Sequence, residues 1–515
     1  MSKKMIFTDA LQDTLNDEKS MTENGALGYR TSKSALVDFN FNAASFRNKS
    51  DQDIKDAFAE AYNENPLLAI KLLFMTGDIR QGMGERRTFR TCFQWLAEFH
   101  ADDARKVVSL IPEYSRWDIL VDMLNTTVDD EAFTVLKNQL DTDTDSCMNG
   151  KPISLLAKWL PSVNTSSQTA RRKARSLCAR LKLTERNYRK RLAQLRSYSN
   201  VVETKMSAKN WAGIKYEAVP SKANLLYKEA FMRHDETRRT EYLSALEKGE
   251  TKINSSASFP YDIVSRYRNT YSTDTTLEQM WKALPDYTNG KGSDTICVVD
   301  SSGSMNASVG GTSVTAEDVA RSLGIYFAEK MNGQFHDQYI TFSERPQLVN
   351  FKNCGSLKAK LDEAERHTEY ANTNIEAVFD LILRTATAHN LSQEDVPRNI
   401  LILSDCEFDQ QMNVGSTSLW GKTEAQQSRI FETLFDAIGK KYKAAGYELP
   451  RLVFWNIAGR TGTVPMQENK NGLALVSGFS PTIASMVFSQ KNSPYEVLLE
   501  KLNSKRYEPV EKALA

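Results

Sequence analysis

The stretch Thr295-Ile296-Cys297-Val298-Val299-Asp300-Ser301-Ser302-Gly303-Ser304 opens with five apolar or β-branched residues and closes with a carboxylate followed by alternating hydroxyls. A short apolar run without a polar face reads as a strand buried on both sides, the habit of parallel sheets covered by helices. Four more such runs follow at residues 338–342, 400–403, 452–455 and 473–476, with amphipathic segments at 315–331, 374–387 and 428–445 between them. The alternation predicts a doubly wound, Rossmann-like α/β unit over residues 293–515. Ligands in that architecture bind beyond the carboxyl ends of the strands. The first run ends in Asp300-x-Ser302-x-Ser304, the run at 400–403 is followed by Ser404-Asp405, and Thr373 lies in the loop 370–374 just before a helix.

One carboxylate and two hydroxyls spaced by two, with a second carboxylate at the same sheet edge, form an oxygen-lined site of low charge. Such donors suit Mg²⁺, or Mn²⁺ or Ca²⁺ in its place, and leave positions for water or a partner's oxygen. In order and strand placement, Asp300, Ser302, Ser304, Thr373 and Asp405 resemble the metal-ion-dependent adhesion site of von Willebrand factor A domains at all five positions. The resemblance implies that Ser302 and Ser304 bind the metal directly and that Asp300, Thr373 and Asp405 bind it directly or through water. It also implies that a partner protein's Asp or Glu takes the open position. No histidine is spaced for a serine-nucleophile triad, and His336 and His367 read as surface or packing residues.

Upstream the apolar period becomes helical. Ile54, Phe58 and Tyr62 form one stripe; the dense run from Leu67 to Phe74 lies between Pro66 and Gly77; further stripes involve Phe89, Phe93 and Leu96, then Ile119, Leu120 and Met123. These predict a stacked-helix, HEAT-like repeat module over residues 51–244. An N-terminal arm (1–50) precedes it, and a connector rich in Ser, Thr, Asn and Tyr (245–292) follows. The glycine-rich loop 77–87 has two readings: backbone and Arg groups that cradle a phosphate, or a tight turn whose charges pair with one another. The acidic run Asp141-Thr142-Asp143-Thr144-Asp145 imitates a calcium loop but has Ser146 where Gly is needed and Pro152 where a bidentate Glu is needed, and so reads as a solvated loop.

The net charge of +1, from 66 basic and 65 acidic residues, is a cancellation. Residues 1–150 carry −8, residues 151–240 carry +15 and residues 241–515 carry −6. Eleven of the basic residues lie between Arg171 and Arg196 against one acid, Glu185: Arg171, Arg172, Lys173, Arg175, Arg180, Lys182, Arg186, Arg189, Lys190, Arg191 and Arg196. Thr184 and Glu185 start a helix whose apolar stripe is Tyr188, Leu192 and Leu195. The excess continues through Lys205, Lys209, Lys215, Lys222, Lys228, Arg233, Arg238 and Arg239, with Tyr198, Trp211, Tyr216 and Tyr227 interleaved. Cations for phosphates and rings for unpaired bases predict an RNA surface.

Blocks in this half, among them Asn65-Pro66-Leu67-Leu68, Asp78-Ile79-Arg80-Gln81-Gly82-Met83-Gly84-Glu85-Arg86, Pro112-Glu113-Tyr114-Ser115-Arg116-Trp117-Asp118 and Tyr216-Glu217-Ala218-Val219-Pro220-Ser221, resemble those of relatives of the Ro ribonucleoprotein autoantigen. Those proteins join a TROVE-like helical module to a von Willebrand factor A domain. The resemblance implies a basic ring that holds small noncoding RNAs and the single-stranded ends of misfolded RNAs, closed with the help of the A domain.

The function expected from these features is a non-enzymatic RNA-binding scaffold with a Mg²⁺-dependent domain for partner docking. A metal-dependent protein-interaction module without RNA is the alternative, and a metal-dependent nuclease or NTPase-associated factor a second one. The enzyme readings lack a motif: residues 415–423 imitate a P-loop but place five residues between the glycines instead of four, and no general base accompanies the carboxylates. Six cysteines without C-x-x-C spacing read as reduced thiols. With no long apolar run and no leader at the start, the expectation is a cytoplasmic protein without membrane contact.

Overall fold

The computed structural model describes residues 18–199, 201–268, 270–342, 344–409 and 433–515. It is a mixed α/β structure, mostly helical, with a helical N-terminal region and a parallel-rich sheet toward the C-terminus. An antiparallel hairpin comes first, β1 (Lys19–Met21) with β2 (Leu27–Tyr29). The main sheet contains β3 (Thr295–Asp300), β4 (Gln338–Phe342), β5 (Gln347–Asn350), β6 (Asn399–Ser404), β7 (Arg451–Asn456) and β8 (Leu473–Ser477). Its order is β5-β4-β3-β6-β7-β8, with β5 antiparallel and every other neighbouring pair parallel.

The five apolar runs are all strands, and every residue of β3, β7 and β8 is buried. The added strand, β5, is a polar edge with Leu348 half exposed, so it carries no apolar run to read. Helix Ala316–Lys330 starts at a capping box made by Thr315 and Asp318. It approaches β3 through Gly324, where a Cβ would lie 2.5 Å from a Val299 methyl. Chain order reverses between β3 and β6, so the loops leaving these two strands diverge and open a crevice at their carboxyl ends.

Residues 18–50 pack against the α/β unit. Helix Ala35–Asn42 lies on β7 and β8: Asn40 Nδ2 donates to Leu475 O at 2.9 Å, Asn456 Nδ2 to Phe41 O at 3.0 Å, and Ala44 N to Ser477 Oγ at 2.7 Å. Helices Asp51–Glu64, Pro66–Gly77 and Arg86–Phe99 follow, the first two capped by Ser50 and Asn65. Their core is largely aromatic, with Phe74 packed against Phe89, Phe93 and Tyr114.

The loop between the second and third of these helices is a clamp. Buried Asp78 receives Arg506 Nε at 2.8 Å and Nη2 at 3.0 Å, Glu85 receives Arg47 twice at 2.8 Å, and Arg87 donates to Phe46 O and Lys49 O. The amides of Gly82, Met83 and Glu85 are taken by Asp78 O, Met75 O and Thr76 O. A Cβ on Gly82 would lie 2.0 Å from Met75 O, which explains that glycine. With these amides and the Arg87 guanidinium spent inside the protein, the loop fits the tight-turn reading.

Two further expectations are corrected. The acidic run 141–145 lies inside helix Asp129–Met148, where Leu136 and Leu140 face the core and Asp143 accepts from Ser154 N at 2.9 Å. The connector contains helices Pro260–Tyr267 and Thr275–Lys282, which dock on the α/β unit: Glu278 accepts from Leu357 N at 2.7 Å and Trp281 Nε1 donates to Glu329 at 2.8 Å. Helix Glu508–Leu514 returns to the N-terminal helices, with Glu511 accepting from Lys71 Nζ at 2.5 Å. The helical region therefore meets the α/β unit at both of its ends. Residues 415–423, the P-loop imitation, and the first part of the expected helix 428–445 lie outside the described residues; its remainder is helix Leu434–Ala444.

Asp78 is fully buried and its charge is balanced by Arg506. Arg506→Met should cost about 3–5 kcal/mol by urea denaturation, because it strands a buried carboxylate. The double variant Asp78→Leu with Arg506→Met should recover most of that loss.

Candidate cation site and basic surface

The parallel register of β3 and β6 sets Asp300 level with Ser404, and the Ser404 hydroxyl donates to Asp300 Oδ2 at 2.5 Å. Asp300 Oδ1 accepts the Ser302 amide at 2.9 Å, which folds the chain back so that the Ser302 and Ser304 hydroxyls lie 3.0 Å apart. On the neighbouring loop Asp405 Oδ1 accepts Glu407 N at 3.2 Å, while Asp405 Oδ2 is buried and accepts no hydrogen bond among the described residues. Between these two residues Cys406 takes a left-handed φ of +60°, unusual for a residue with a side chain. Thr373 is buried in the third loop, whose Ala371 carbonyl accepts Gly303 N at 3.3 Å and whose Thr373 carbonyl accepts Asp409 N at 3.0 Å. All five residues expected at a metal thus lie on three loops bound to one another at the β3–β6 crevice.

The electrostatics of this crevice are unbalanced. Burial, and then the charge of Asp405, push Asp300 up to about 7. Burial also raises Asp405, opposed by the Glu407 amide and by Arg460. Among the described residues no cluster of three or more His, Cys, Asp or Glu side chains is arranged for a metal, so a cation here would rest on two carboxylates and the hydroxyls. The unpartnered Asp405 Oδ2 fits that role, and the oxygen-only donors suit a hard cation.

Four residues at the mouth are new to the reading of the sequence. The turn between β1 and β2 rests on the site: Asn24 Nδ2 donates to Thr373 Oγ1 at 3.1 Å and to Glu407 O at 2.6 Å, and Glu23 N donates to Glu407 Oε2 at 2.7 Å. Arg460 pairs with Glu23 and places Nη2 3.4 Å from Asp405 Oδ2. Glu407, itself buried, is held by the amides of Arg460 at 2.6 Å and Thr461 at 2.8 Å. The contacts of Asn24 and Glu23 join positions 349 and 384 residues apart, and no spacing rule reaches them.

The eleven-residue basic set narrows on inspection. Lys173 pairs with Asp122, Arg175 with Glu185, Arg180 with Asp129 and Asp130, and Arg191 with Asp141. Arg196 is spent on the carbonyls of Ala157 and Leu160. Arg171, Arg172, Lys182, Arg186, Arg189 and Lys190 are exposed, on helices Gln168–Arg180 and Glu185–Tyr198 and the turn between them, and make no ion pair among the described residues. Further along, Lys222 and Lys228 are paired with Asp262 and Asp274, and Arg239 is fully buried among Tyr216, Phe231 and Tyr242. Tyr216 is core and Trp211 stacks on His234, so neither offers a free face for a base in the way the interleaving suggested.

The chain is similar to two families of unknown function. Residues 294–512 match the family described as Domain of unknown function (DUF7788), and residues 22–109 and 130–291 match Domain of unknown function (DUF2828). The chain is 29% identical over 532 residues to "Uncharacterized protein L728" of Acanthamoeba polyphaga mimivirus, covering 95% of this chain and 88% of that protein. Among solved structures, the Deinococcus radiodurans RO (RSR) protein aligns over 91% of this chain and 92% of its own, at 13% identity and a TM-score of 0.37. Overlap that low carries no argument about this fold. Among the described residues no helix is long and apolar enough to cross a membrane, and all six cysteines are unpaired.

Two outcomes follow from the crevice. Asp300 has a higher pKa folded than its ordinary 3.8, so its contribution to stability is full at low pH and is lost as pH rises toward about 7. In EDTA the thermal midpoint should fall between about pH 4 and pH 7, and either Mg²⁺ or Asp300→Asn should flatten that fall. Arg460→Gln, which removes a positive charge beside Asp405, should tighten Mn²⁺ binding several-fold when free Mn²⁺ is followed by electron paramagnetic resonance.

Proposed function

We propose that this protein is a non-enzymatic RNA-binding scaffold whose α/β unit holds a divalent cation, Mg²⁺ first, between Asp300 and Asp405. The observation that carries the RNA reading is the set of six exposed cations without an ion pair among the described residues, Arg171, Arg172, Lys182, Arg186, Arg189 and Lys190. Of the other basic residues between Arg171 and Arg196, Lys173, Arg180 and Arg191 are neutralised by acids of the preceding helices, Arg175 by Glu185, and Arg196 is bonded to carbonyls, which leaves these six as the local excess. Phosphate contacts of this kind bind without reading sequence and release counterions. The likeness of the helical blocks to Ro relatives supports RNA as the polymer.

In this reading the cation neutralises the crevice and keeps the loops after β3 and β6 in place, with Ser302, Ser304 and Thr373 supplying neutral oxygens. Docking of a partner's Asp or Glu on the cation is the competing reading. It requires the Thr22–Gly25 turn to leave, because Asn24 is already bonded to Thr373. That obstacle favours a structural role for the cation over a docking role.

Fluorescence anisotropy with single-stranded RNA provides the test. If about six phosphates are engaged, log K should fall against log salt with a slope of roughly −4. Arg189→Glu with Lys190→Glu should weaken binding at least tenfold without changing the thermal midpoint. No salt-dependent RNA binding, or binding indifferent to that reversal, would refute the proposal.

A further inference from the structure

At the opposite end of the sheet from Asp300, two adjoining cavities hold two cations, half-buried Lys501 and buried Arg451, that make no ion pair among the described residues. The larger, about 710 Å³, lies between the Asp78–Arg506 clamp, residues 285–291 and the C-terminal helices. Lys501 lines it, and among the described residues its ammonium has one hydrogen bond, to Ser485 Oγ at 3.4 Å. Asp78, the acid whose field reaches Lys501, is already bonded to Arg506 through both oxygens. Glu500 is the single carboxylate in the lining, and it accepts the Ser489 hydroxyl. Lys291 is exposed at the rim.

The smaller cavity, about 300 Å³, shares Lys291, Phe488, Ser489 and Gln490 with the first and adds Arg451. Arg451 is 8% exposed. Its Nη1 donates to Val487 O at 2.6 Å, while its Nε and Nη2 have no partner. Asp294 stands exposed in the same lining and forms no ion pair with it. Burying a guanidinium without a counter-charge costs several kcal/mol, roughly, and a bound anion removes that cost. Desolvation pulls Lys501 down to about 8 and Arg451 to about 10, which is the mark of cations lacking a partner.

We propose that these adjoining cavities bind a small phosphorylated molecule, its phosphate against Lys501 with Arg451 as the second cation behind it. A volume of 710 Å³ suits a ligand of nucleotide size. Gln81, Asn289, Ser485 and Ser504 line the remainder and supply donors and acceptors for its hydroxyls. The site is separate from both the Asp300–Asp405 crevice and the basic helices, and it stands whether or not either of those readings holds.

Calorimetry of the full chain with AMP at pH 8, in two buffers of different ionisation heat, tests the proposal. One site per chain is expected, with uptake of up to about half a proton, since Lys501 at pH 8 is close to half neutral and an adjacent phosphate recharges it. Lys501→Ala should weaken AMP at least tenfold. Lys501→Arg should retain binding and lose the proton uptake, and Arg189→Glu should change neither. No binding of AMP, binding that survives Lys501→Ala, or binding lost with Arg189→Glu would each overturn the proposal.

Discussion

Two carboxylates held out of water at the ends of neighbouring strands are the constraint around which this protein is organised. The parallel register of β3 and β6 brings Asp300 and Asp405 to one crevice, and both are 1% exposed. Neither can shed its charge into solvent, and each raises the cost of ionising the other. The surroundings answer in two ways: the amides of Ser302 and Glu407 and the Ser404 hydroxyl donate to the oxygens, and Arg460 brings a positive charge within 3.4 Å of Asp405 Oδ2, which accepts no hydrogen bond among the described residues. A small divalent cation would satisfy all of these at once.

That crevice also explains the course of the chain ends. The N-terminal hairpin passes over it, anchored by Asn24 and Glu23, and continues into the helix that covers β7 and β8. The C-terminal helices pass the other way and lock to the first helices through Asp78–Arg506 and Lys71–Glu511. A helical region tied to the α/β unit at both ends has less freedom to move against it than one on a single linker. The exposed cations at Arg186, Arg189 and Lys190 are thereby presented from a braced support.

The α/β unit was legible because its strands are apolar on both faces and its candidate ligands sit at strand ends, a local pattern. The polar edge β5 and the three-residue hairpin strands offered no such pattern. Charge counting located the basic segment but could not see pairing. The acids of Asp129, Asp130 and Asp141, read as part of a separate acidic region, neutralise Arg180 and Arg191. The same blindness turned the 141–145 helix into a loop, since Asp141 pairs with Arg191 and Asp143 with Ser154 only once the chain has folded back. Arg239 shows the reverse case, a cation counted toward the surface that three aromatic rings enclose in the core. Glu23, Asn24, Glu407 and Arg460 were invisible for a simpler reason, that their chemistry exists only once distant segments meet.

The claim that a divalent cation balances the Asp300–Asp405 pair is tested most directly by anomalous diffraction from crystals grown with Mn²⁺. A single strong peak is expected among Asp300, Ser302, Ser304, Thr373 and Asp405, lost in Asp405→Asn crystals. A map without density there, or with Mn²⁺ bound only elsewhere, would contradict it.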